Sequence, residues 1–242
     1  MKEAFYGSFK DFVFRSAVDF LKGRTALTKQ EYELLDDEAR AKAFTVSGYT
    51  SLTVLQEFSD TLAEAVEAGE TMRDFRERMN SFLSDLGFDE MNPWKSDTIF
   101  RTNVQTAYNA GHYKSMTSPA TLRLRPYWQY KTAYDGKVRE EHALMHNRIF
   151  RADDPVWDIW YPPNGFRCRC LVVSKTAKQV EREGIKVEEP PMVLDRETGE
   201  IRMLMPDAGF AHNPAKETYK PDMTAIDRPL RELFAERERR KP

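Results

Sequence analysis

The 242-residue sequence contains no long hydrophobic run and only two cysteines, and these shortages exclude several classes of protein. No stretch approaches the ~20 apolar residues that a transmembrane helix needs. The first residues lack the apolar core and the cleavage site of a secretory signal, so we expect the protein to stay inside the cell that makes it. Cys168 and Cys170 are poorly placed to form a disulfide with each other, which predicts reduced thiols or metal thiolates.

Catalytic signatures are also missing from the sequence. It contains no Walker-type phosphate loop, dinucleotide glycine pattern or nucleophile elbow. The residue after His142 is Ala143, so the glutamate with which a helical zinc protease activates water is absent there. A nucleic-acid deaminase would need His-x-Glu and a distant Cys-x-x-Cys, which this chain lacks. We therefore predict no catalytic residues and no organic cofactor.

What the sequence does contain is enough apolar material for a folded core. Its residues are 40% hydrophobic and 12% aromatic, which suffices for one large domain or two small ones. The net charge is only −2, but its distribution is uneven. The charged residues in 31–70 are mostly acidic, whereas residues 123–175 carry an excess of lysine and arginine. That basic region is the one place where DNA contact is plausible, and an ordinary solvated surface of mixed charge is the alternative.

Helical periodicity dominates the first half of the chain. Two apolar stripes recur at helical spacing and end at Gly69 and Gly87. Their members are, in order, Leu55, Phe58, Leu62, Ala65 and Val66, then Phe75, Met79, Phe82, Leu83 and Leu86. Thr71, with Asp74 three residues later, predicts the start of the second helix. The sequence thus predicts two neighbouring amphipathic helices.

Two further helices are predicted on either side of this pair. One begins near Ser96, after Asn92-Pro93-Trp94, and ends at about Met116, because Ser118-Pro119 cannot continue it. The other takes in the opening aromatic-rich stretch from Phe5 to Leu21, whose stripe is more typical of a core or contact surface than of a cofactor site.

The second half changes to the alternation that is typical of strands. Tyr127–Thr132 and Cys170–Val173 predict two strands, and the segments on either side of Asp195–Glu200 predict a β-hairpin. Between Phe150 and Phe166, prolines, glycines and tryptophans indicate an ordered loop that aromatic side chains hold in place.

These predictions together give an α+β fold, with a helical N-terminal half followed by a small mixed strand and loop region that contains a β-hairpin. We predict three segments along the chain. Residues 1–118 are mainly helical, residues 119–218 are mixed α/β, and residues 219–242 form a charged and mobile tail.

An ordered series of motifs lies inside the mixed region. It reads Asp-Gly-x-x-Arg-x-x-His from Asp135, Asp-Asp-Pro-x-Trp from Asp153, Pro-Pro-Asn-Gly from Pro162 and Cys-Arg-Cys from Cys168. As a connected pattern, the series resembles the signature of phage Mu F-like proteins, the minor head or head-morphogenesis proteins of tailed bacteriophages. No single tripeptide carries this resemblance, but the order of all four motifs does.

Four residues of this region are candidate metal ligands: His142, His146, Cys168 and Cys170. Histidines four apart share one face of a helix, and cysteines two apart share one face of a strand, so each pair could direct two ligands at a tetrahedral zinc ion. Other branches of the resembled family carry a Cys-x-x-Cys where Arg139 and His142 stand here. A structural zinc is one interpretation. The other is reduced cysteines packed in a core, with histidines that hydrogen-bond the backbone.

The resemblance extends upstream to Ala43–Gly48 and Glu67–Arg76 and downstream to Pro206–Pro214. It implies a phage or prophage minor head protein that acts in prohead assembly at the portal vertex. The implied partners are the portal protein and capsid or scaffold components, and the implied location is the host cytoplasm during assembly and then the virion head. The competing hypothesis is a metal-dependent hydrolase or nucleotide-modifying enzyme that uses the four candidate ligands, since related modules are fused to toxin domains.

Overall fold

The structure of the chain is a computed structural model that describes residues 14–34, 43–184, 186–195 and 198–216, with three isolated residues near the carboxyl terminus. Helices combine with small sheets, which confirms the predicted α+β class. Within these described ranges, no helix has both the length and the apolar character needed to cross a membrane. Apart from the three isolated residues, the predicted tail lies outside the described residues.

The chain divides into two compact units, which we describe separately. Unit 1 contains the residues up to Gly111 and those from Pro214 onward, and unit 2 contains His112–Asn213. The predicted boundary at residue 118 falls a short distance after the first division.

Unit 1 is mainly helical. Its helices are α1 at 14–22, α2 at Lys29–Glu33, α3 at Leu52–Ala68, α4 at Met72–Asp85 and α5, which begins at Pro93 and ends at Met116. Two short strands pair in parallel, β1 at Thr25–Ala26 and β2 at Ala43–Phe44. The predicted opening helix is thus present over 14–22, while Phe5, Phe9 and Phe12 lie outside the described residues.

The two predicted stripes supply much of the core of unit 1. Every member of the first stripe is buried on α3, and Phe75, Met79 and Leu83 are fully buried on α4. Leu86 is 50% exposed, because α4 ends at Asp85 and the chain leaves the helical path before this residue. Gly69 ends α3 in the left-handed conformation, with a φ of 70°, that glycine adopts without strain.

Helix α5 begins earlier than predicted, at Pro93 rather than near Ser96. Proline suits the first turn of a helix, because its ring fixes a helical φ and its missing N–H is not needed there. Asn92 Oδ1 accepts the backbone N–H of Trp94 at 2.8 Å, which satisfies a donor that the helix itself leaves free. The predicted end at Met116 is confirmed.

The start of α4 gives a testable stability effect. Thr71 and Asp74 form a reciprocal capping box, in which the Thr71 side chain accepts the N–H of Asp74 and the Asp74 carboxylate accepts the N–H of Thr71 at 2.8 Å. We expect Thr71→Ala to lower the free energy of unfolding by about 1 kcal/mol in urea titrations. Ser51→Ala is the matched control, because Ser51 caps α3 without a side-chain hydrogen bond. Equal losses in the two variants would contradict the capping argument.

Unit 2 joins a three-stranded antiparallel sheet to short helices and a hairpin. Its elements are α6 (Pro119–Leu124), β3 (Tyr127–Lys131), α7 (Glu140–Met145), β4 (Ile149–Arg151), α8 (Val156–Trp160), β5 (Leu171–Lys175), α9 (Ala177–Arg182), β6 (Met192–Leu194) and β7 (Ile201–Met203). The sheet has the order β4-β3-β5, and β6 pairs with β7. Both predicted strands and the predicted hairpin are confirmed, whereas β4 and α8 replace part of the predicted loop.

Aromatic side chains form the core of unit 2. Trp157 on α8 contacts Trp128 on β3 and Phe150 on β4, with ring centroids 5.6 Å apart in each pair. The Asp-Asp-Pro-x-Trp motif places this tryptophan. Asp154 Oδ1 accepts the N–H of Val156 at 2.9 Å at the start of α8, and Trp157 Nε1 donates to the carbonyl oxygen of Arg151 at 2.8 Å.

Candidate metal centre

Three of the four candidate ligands converge inside unit 2. Nδ1 of His142, on α7, lies 3.8 Å from Sγ of Cys168 and 3.6 Å from Sγ of Cys170. All three side chains are buried, with 2–4% of their surface exposed. Across the described ranges, no other group of three His, Cys, Asp or Glu residues brings its ligand atoms within 4.8 Å of one another.

His146 lies apart from this group. Helix α7 ends at Met145 and His146 is its C-cap residue, with a ψ of 130°, so the chain leaves the helical path directly after His146. Nδ1 of His146 instead accepts the backbone N–H of Thr132 at 3.1 Å, and its ring stacks on Tyr134 at 4.7 Å. The structure thus gives His146 partners of its own, and its ring is not among the ligand atoms that lie together.

The cysteines also reach the group by an unpredicted route. They precede β5, which begins at Leu171, and therefore do not lie on a common strand face. Arg167, just before them, has a φ of 58°, a left-handed conformation that is uncommon for a residue with a side chain. The two sulfur atoms therefore reach His142 from a segment that follows this turn, and not from alternate positions of a strand.

The orientation of the His142 ring is fixed from its far side. Nε2 of His142 lies 3.1 Å from the carbonyl oxygen of Asn164 and 3.6 Å from Oδ1 of Asp207. A carbonyl oxygen can only accept a hydrogen bond, so Nε2 carries a proton and donates it. When the ring is neutral, Nδ1 presents its lone pair to the two sulfur atoms; when the ring is protonated, Nδ1 instead donates to Cys168.

Asn164 is a central residue that sequence reasoning did not assign. It is fully buried, its backbone N–H donates to Sγ of Cys168, and its side-chain Oδ1 accepts the hydroxyl proton of Tyr130 at 2.7 Å. A second backbone donor, the N–H of Cys170, lies 3.4 Å from Sγ of Cys168. The Pro-Pro-Asn-Gly motif includes Asn164 and so marked it as notable, but the motif gave no indication of the distant residues that Asn164 contacts.

Gly165 leaves space for a carboxylate beside the group. A Cβ atom at Gly165 would lie 2.2 Å from Oδ2 of Asp207 and 3.3 Å from Cζ of Arg139, so a side chain there would displace Asp207. Arg139 in turn forms an ion pair with Asp207 at 3.2 Å and donates to the carbonyl oxygen of Phe166 at 2.8 Å. The motif glycine thus allows the approach of Arg139 and Asp207.

Asp135 and Arg169 join the first motif to the last. The guanidinium of Arg169 donates to both carboxylate oxygens of Asp135 at 2.7 Å. Hydrogen bonds from Arg169 and from the N–H of Lys137 lower the pKa of Asp135 to about 2. These contacts, with those of Arg139 and His142, show that three of the four ordered motifs are joined to one another by hydrogen bonds.

The two thiols differ in their affinity for a proton. A hydrogen bond from Cys170 lowers the pKa of Cys168. Burial acts in the opposite direction and raises this pKa. Hydrogen bonds from His142 and from two backbone N–H groups lower it further. The same bond between the two cysteines, together with burial, raises the pKa of Cys170. Burial alone would lower the pKa of His142, but the adjacent Cys168 sulfur and Asp207 outweigh it and raise that pKa. The centre therefore favours one thiolate beside a hydrogen-bonded imidazole.

Comparison with known proteins agrees with the motif series. A family model described as "Phage Mu protein F like protein" matches residues 56–173, a range that includes α4, α5 and the whole candidate centre except Asp207. The chain belongs to the phage Mu F-like family. No solved structure matches it significantly.

Two curated relatives match this Mu F-like chain with the same identity and over similar shares of its length. The "Putative capsid assembly protein F" of Escherichia phage Mu is 33% identical over 237 residues, which cover 83% of this chain and 53% of the relative. The "Mu-like prophage FluMu F protein" of Haemophilus influenzae is 33% identical over 195 residues, covering 72% of this chain and 46% of the relative. The chain thus spans about half the length of the curated relatives it matches.

Proposed function

We propose that this Mu F-like chain acts in assembly of a phage or prophage head, at the portal vertex, and that it enters the virion. The observation that carries the proposal is the 33% identity to a protein named for capsid assembly, sustained over 83% of this chain. Its partners would be the portal protein and capsid or scaffold components. It would meet them in the host cytoplasm during assembly.

Burial of the His142 group argues for a structural role and against the hydrolase alternative. His142, Cys168 and Cys170 expose only 2–4% of their surface, so a substrate has no direct access to their ligand atoms. A catalytic metal site keeps a coordination position that a substrate can reach. Assembly is therefore the function that the geometry favours.

The β6–β7 hairpin offers a contact surface for a head component. Met192, Leu194 and Ile201 are 59–71% exposed. Cross-strand register places Leu194 opposite Ile201 and Met192 opposite Met203, so these four apolar side chains share one face. Exposed apolar patches of this kind commonly mark protein interaction sites. We assign this apolar hairpin face to the portal protein.

Direct DNA contact through residues 123–175 receives less support. Five of the basic side chains in that region pair with carboxylates: Arg139 with Asp207, Arg148 with Glu188, Arg151 with Asp153, Arg169 with Asp135 and Lys175 with Glu183. A cation that already neutralises a carboxylate gains less from a phosphate, because the existing pair must first be broken. Half of the ten basic side chains of the region are therefore already paired with carboxylates within the protein.

Co-purification with the portal protein of the same phage tests the proposal. We expect the tagged chain to retain the portal protein, and the double variant Leu194→Lys, Ile201→Lys to lose at least about tenfold in affinity, because two charges would be buried in the contact. Leu124→Lys is the matched control. It introduces the same charge on another exposed leucine of unit 2, 71% exposed and distant in sequence from the hairpin.

Two outcomes would count against the proposal in different ways. Absence of the chain from purified proheads and virions would contradict a role in the head. Retention of the portal protein by the hairpin double variant would instead reject only the assignment of the surface.

A further inference from the structure

We propose that Nδ1 of His142 and the Sγ atoms of Cys168 and Cys170 bind one zinc ion, with a solvent molecule as the fourth ligand. This proposal rests on the local geometry of unit 2 and does not depend on a role in head assembly. It differs from the four-ligand set expected from the sequence, because His146 is excluded.

The two distances from nitrogen to sulfur match the edges of a zinc tetrahedron. Zinc lies about 2.3 Å from a thiolate sulfur and about 2.0–2.1 Å from an imidazole nitrogen, so the nitrogen and each sulfur should be about 3.6 Å apart. The observed separations from His142 Nδ1 are 3.8 Å to Cys168 and 3.6 Å to Cys170. An ion can therefore enter with only small shifts of the side chains.

The surroundings supply the second layer of contacts that zinc ligands need. Ligating histidines usually donate their other ring N–H to a carbonyl or carboxylate, and His142 Nε2 contacts both, through Asn164 and Asp207. Backbone N–H groups of Asn164 and Cys170 donate to Sγ of Cys168, which stabilises negative charge on that sulfur. Two thiolates and an imidazole form a ligand set that favours zinc over magnesium or calcium.

The fourth ligand follows from what lies beside the group. Arg139 stands one helical turn before His142 and is a cation, so it cannot coordinate a metal ion. Nδ2 of Asn164 is a buried donor that has no hydrogen-bond partner among the residues that the structure describes. Among the described residues the group offers only three ligand atoms, so a solvent molecule completes the tetrahedron, and its remaining lone pair could accept the hydrogen bond of Nδ2.

Bound zinc would cross-link two segments of unit 2. The cysteines lie 26 and 28 residues after His142, so the ion would tie α7 to the segment that enters β5. Closing a loop of this length restricts the unfolded chain, and ion binding then adds directly to folding stability. Three protein ligands with one solvent molecule are also the ligand count of a catalytic zinc site, but burial of the ligand atoms keeps a substrate away from the ion, so the inferred role is structural.

Metal analysis and X-ray absorption of the full chain test the site. We expect about one zinc per chain after purification in a reducing buffer, with a first shell of two sulfur atoms near 2.3 Å and two lighter atoms near 2.0 Å. His142→Asn, Cys168→Ser and Cys170→Ser should each retain less than about a tenth of that zinc. His146→Asn is the matched control and should retain all of it.

A measurement on the unsubstituted chain covers the case in which those variants fail to fold. The chelator-stripped protein is titrated with Co²⁺, and a thiolate-to-metal charge-transfer band that saturates at one equivalent supports the site. Chelation should also lower the melting temperature by at least about 5 °C, and zinc should restore it.

Either of two results would overturn the inference. One is a folded chain that binds neither zinc nor Co²⁺. The other is loss of zinc from His146→Asn equal to the loss from His142→Asn, which would reinstate the four-ligand set.

Discussion

Replacing Trp160 with alanine is expected to lower the free energy of unfolding of unit 2 by about 3–5 kcal/mol, a large share of the 5–15 kcal/mol that stabilises a typical domain. Trp160 is fully buried on α8. Its ring meets Tyr130 and His142 edge to face, at 6.0 and 6.1 Å. Its Nε1 donates to the carbonyl oxygen of Leu204 at 2.9 Å. The substitution therefore leaves a cavity and an unsatisfied buried carbonyl.

Trp94→Ala provides the control for this prediction. Trp94 is 65% exposed near the start of α5, so the same change should alter the free energy of unfolding by less than about 0.5 kcal/mol. Urea unfolding followed by circular dichroism measures both variants, and hydrogen exchange of the β3 and β5 amides assigns the loss to unit 2. A loss below about 1 kcal/mol for Trp160→Ala would show that this ring is not part of a well-packed core.

The helices could be predicted because their signals are local. Leu55, Phe58 and Leu62 form a stripe that needs only the 3.6-residue period, and Gly69 ends the helix through its own backbone freedom. The error at α5 was also local, since Pro93 can either precede a helix or begin one. Strand β3 followed from alternating aromatics and β5 from a short apolar run, whereas β4 is only three residues long and carries too little pattern to detect.

The candidate centre could be predicted only in part, because its remaining contacts are long-range. Residue types alone identified His142, Cys168 and Cys170. His146 is not beside them, because its ring bonds Thr132 and stacks on Tyr134, and residue spacing carries no signal for these contacts. Asp207 lies far along the chain from its partners, and no periodicity connects it to them.

The same network explains why the motif series resembles a family signature without containing a catalytic motif. Asp135 bonds Arg169, and His142 bonds Asn164. In both contacts the two partners lie in different motifs, whereas Asp154 of the Asp-Asp-Pro-x-Trp motif bonds Val156 within its own motif. Substituting one partner leaves the other with an unpaired polar group, which is costly when the group is buried. The ordered series is therefore best understood as the requirement of a fold.

Arg139→Cys is expected to tighten zinc binding at least about tenfold, which corresponds to about 1.4 kcal/mol. Arg139 caps α7 without a side-chain hydrogen bond to it, and His142 occupies the third helical position after it. Side chains at these two positions meet at a helix start, as Thr71 and Asp74 do at the start of α4. A cysteine at 139 would thus bring a third sulfur atom to the ion, and would remove a positive charge that disfavours it.

Arg139→Ala separates these two contributions, because it removes the charge without adding a ligand. Competition with a zinc-binding dye measures the affinity of each variant, and X-ray absorption counts the sulfur ligands. We expect Arg139→Cys to show three sulfur atoms and the higher affinity, and Arg139→Ala to keep two. If the two variants bind zinc equally well, charge alone limits the affinity, and position 139 does not face the ion. A third sulfur atom would instead show that α7 already holds the geometry of a four-ligand site, with one ligand replaced by arginine.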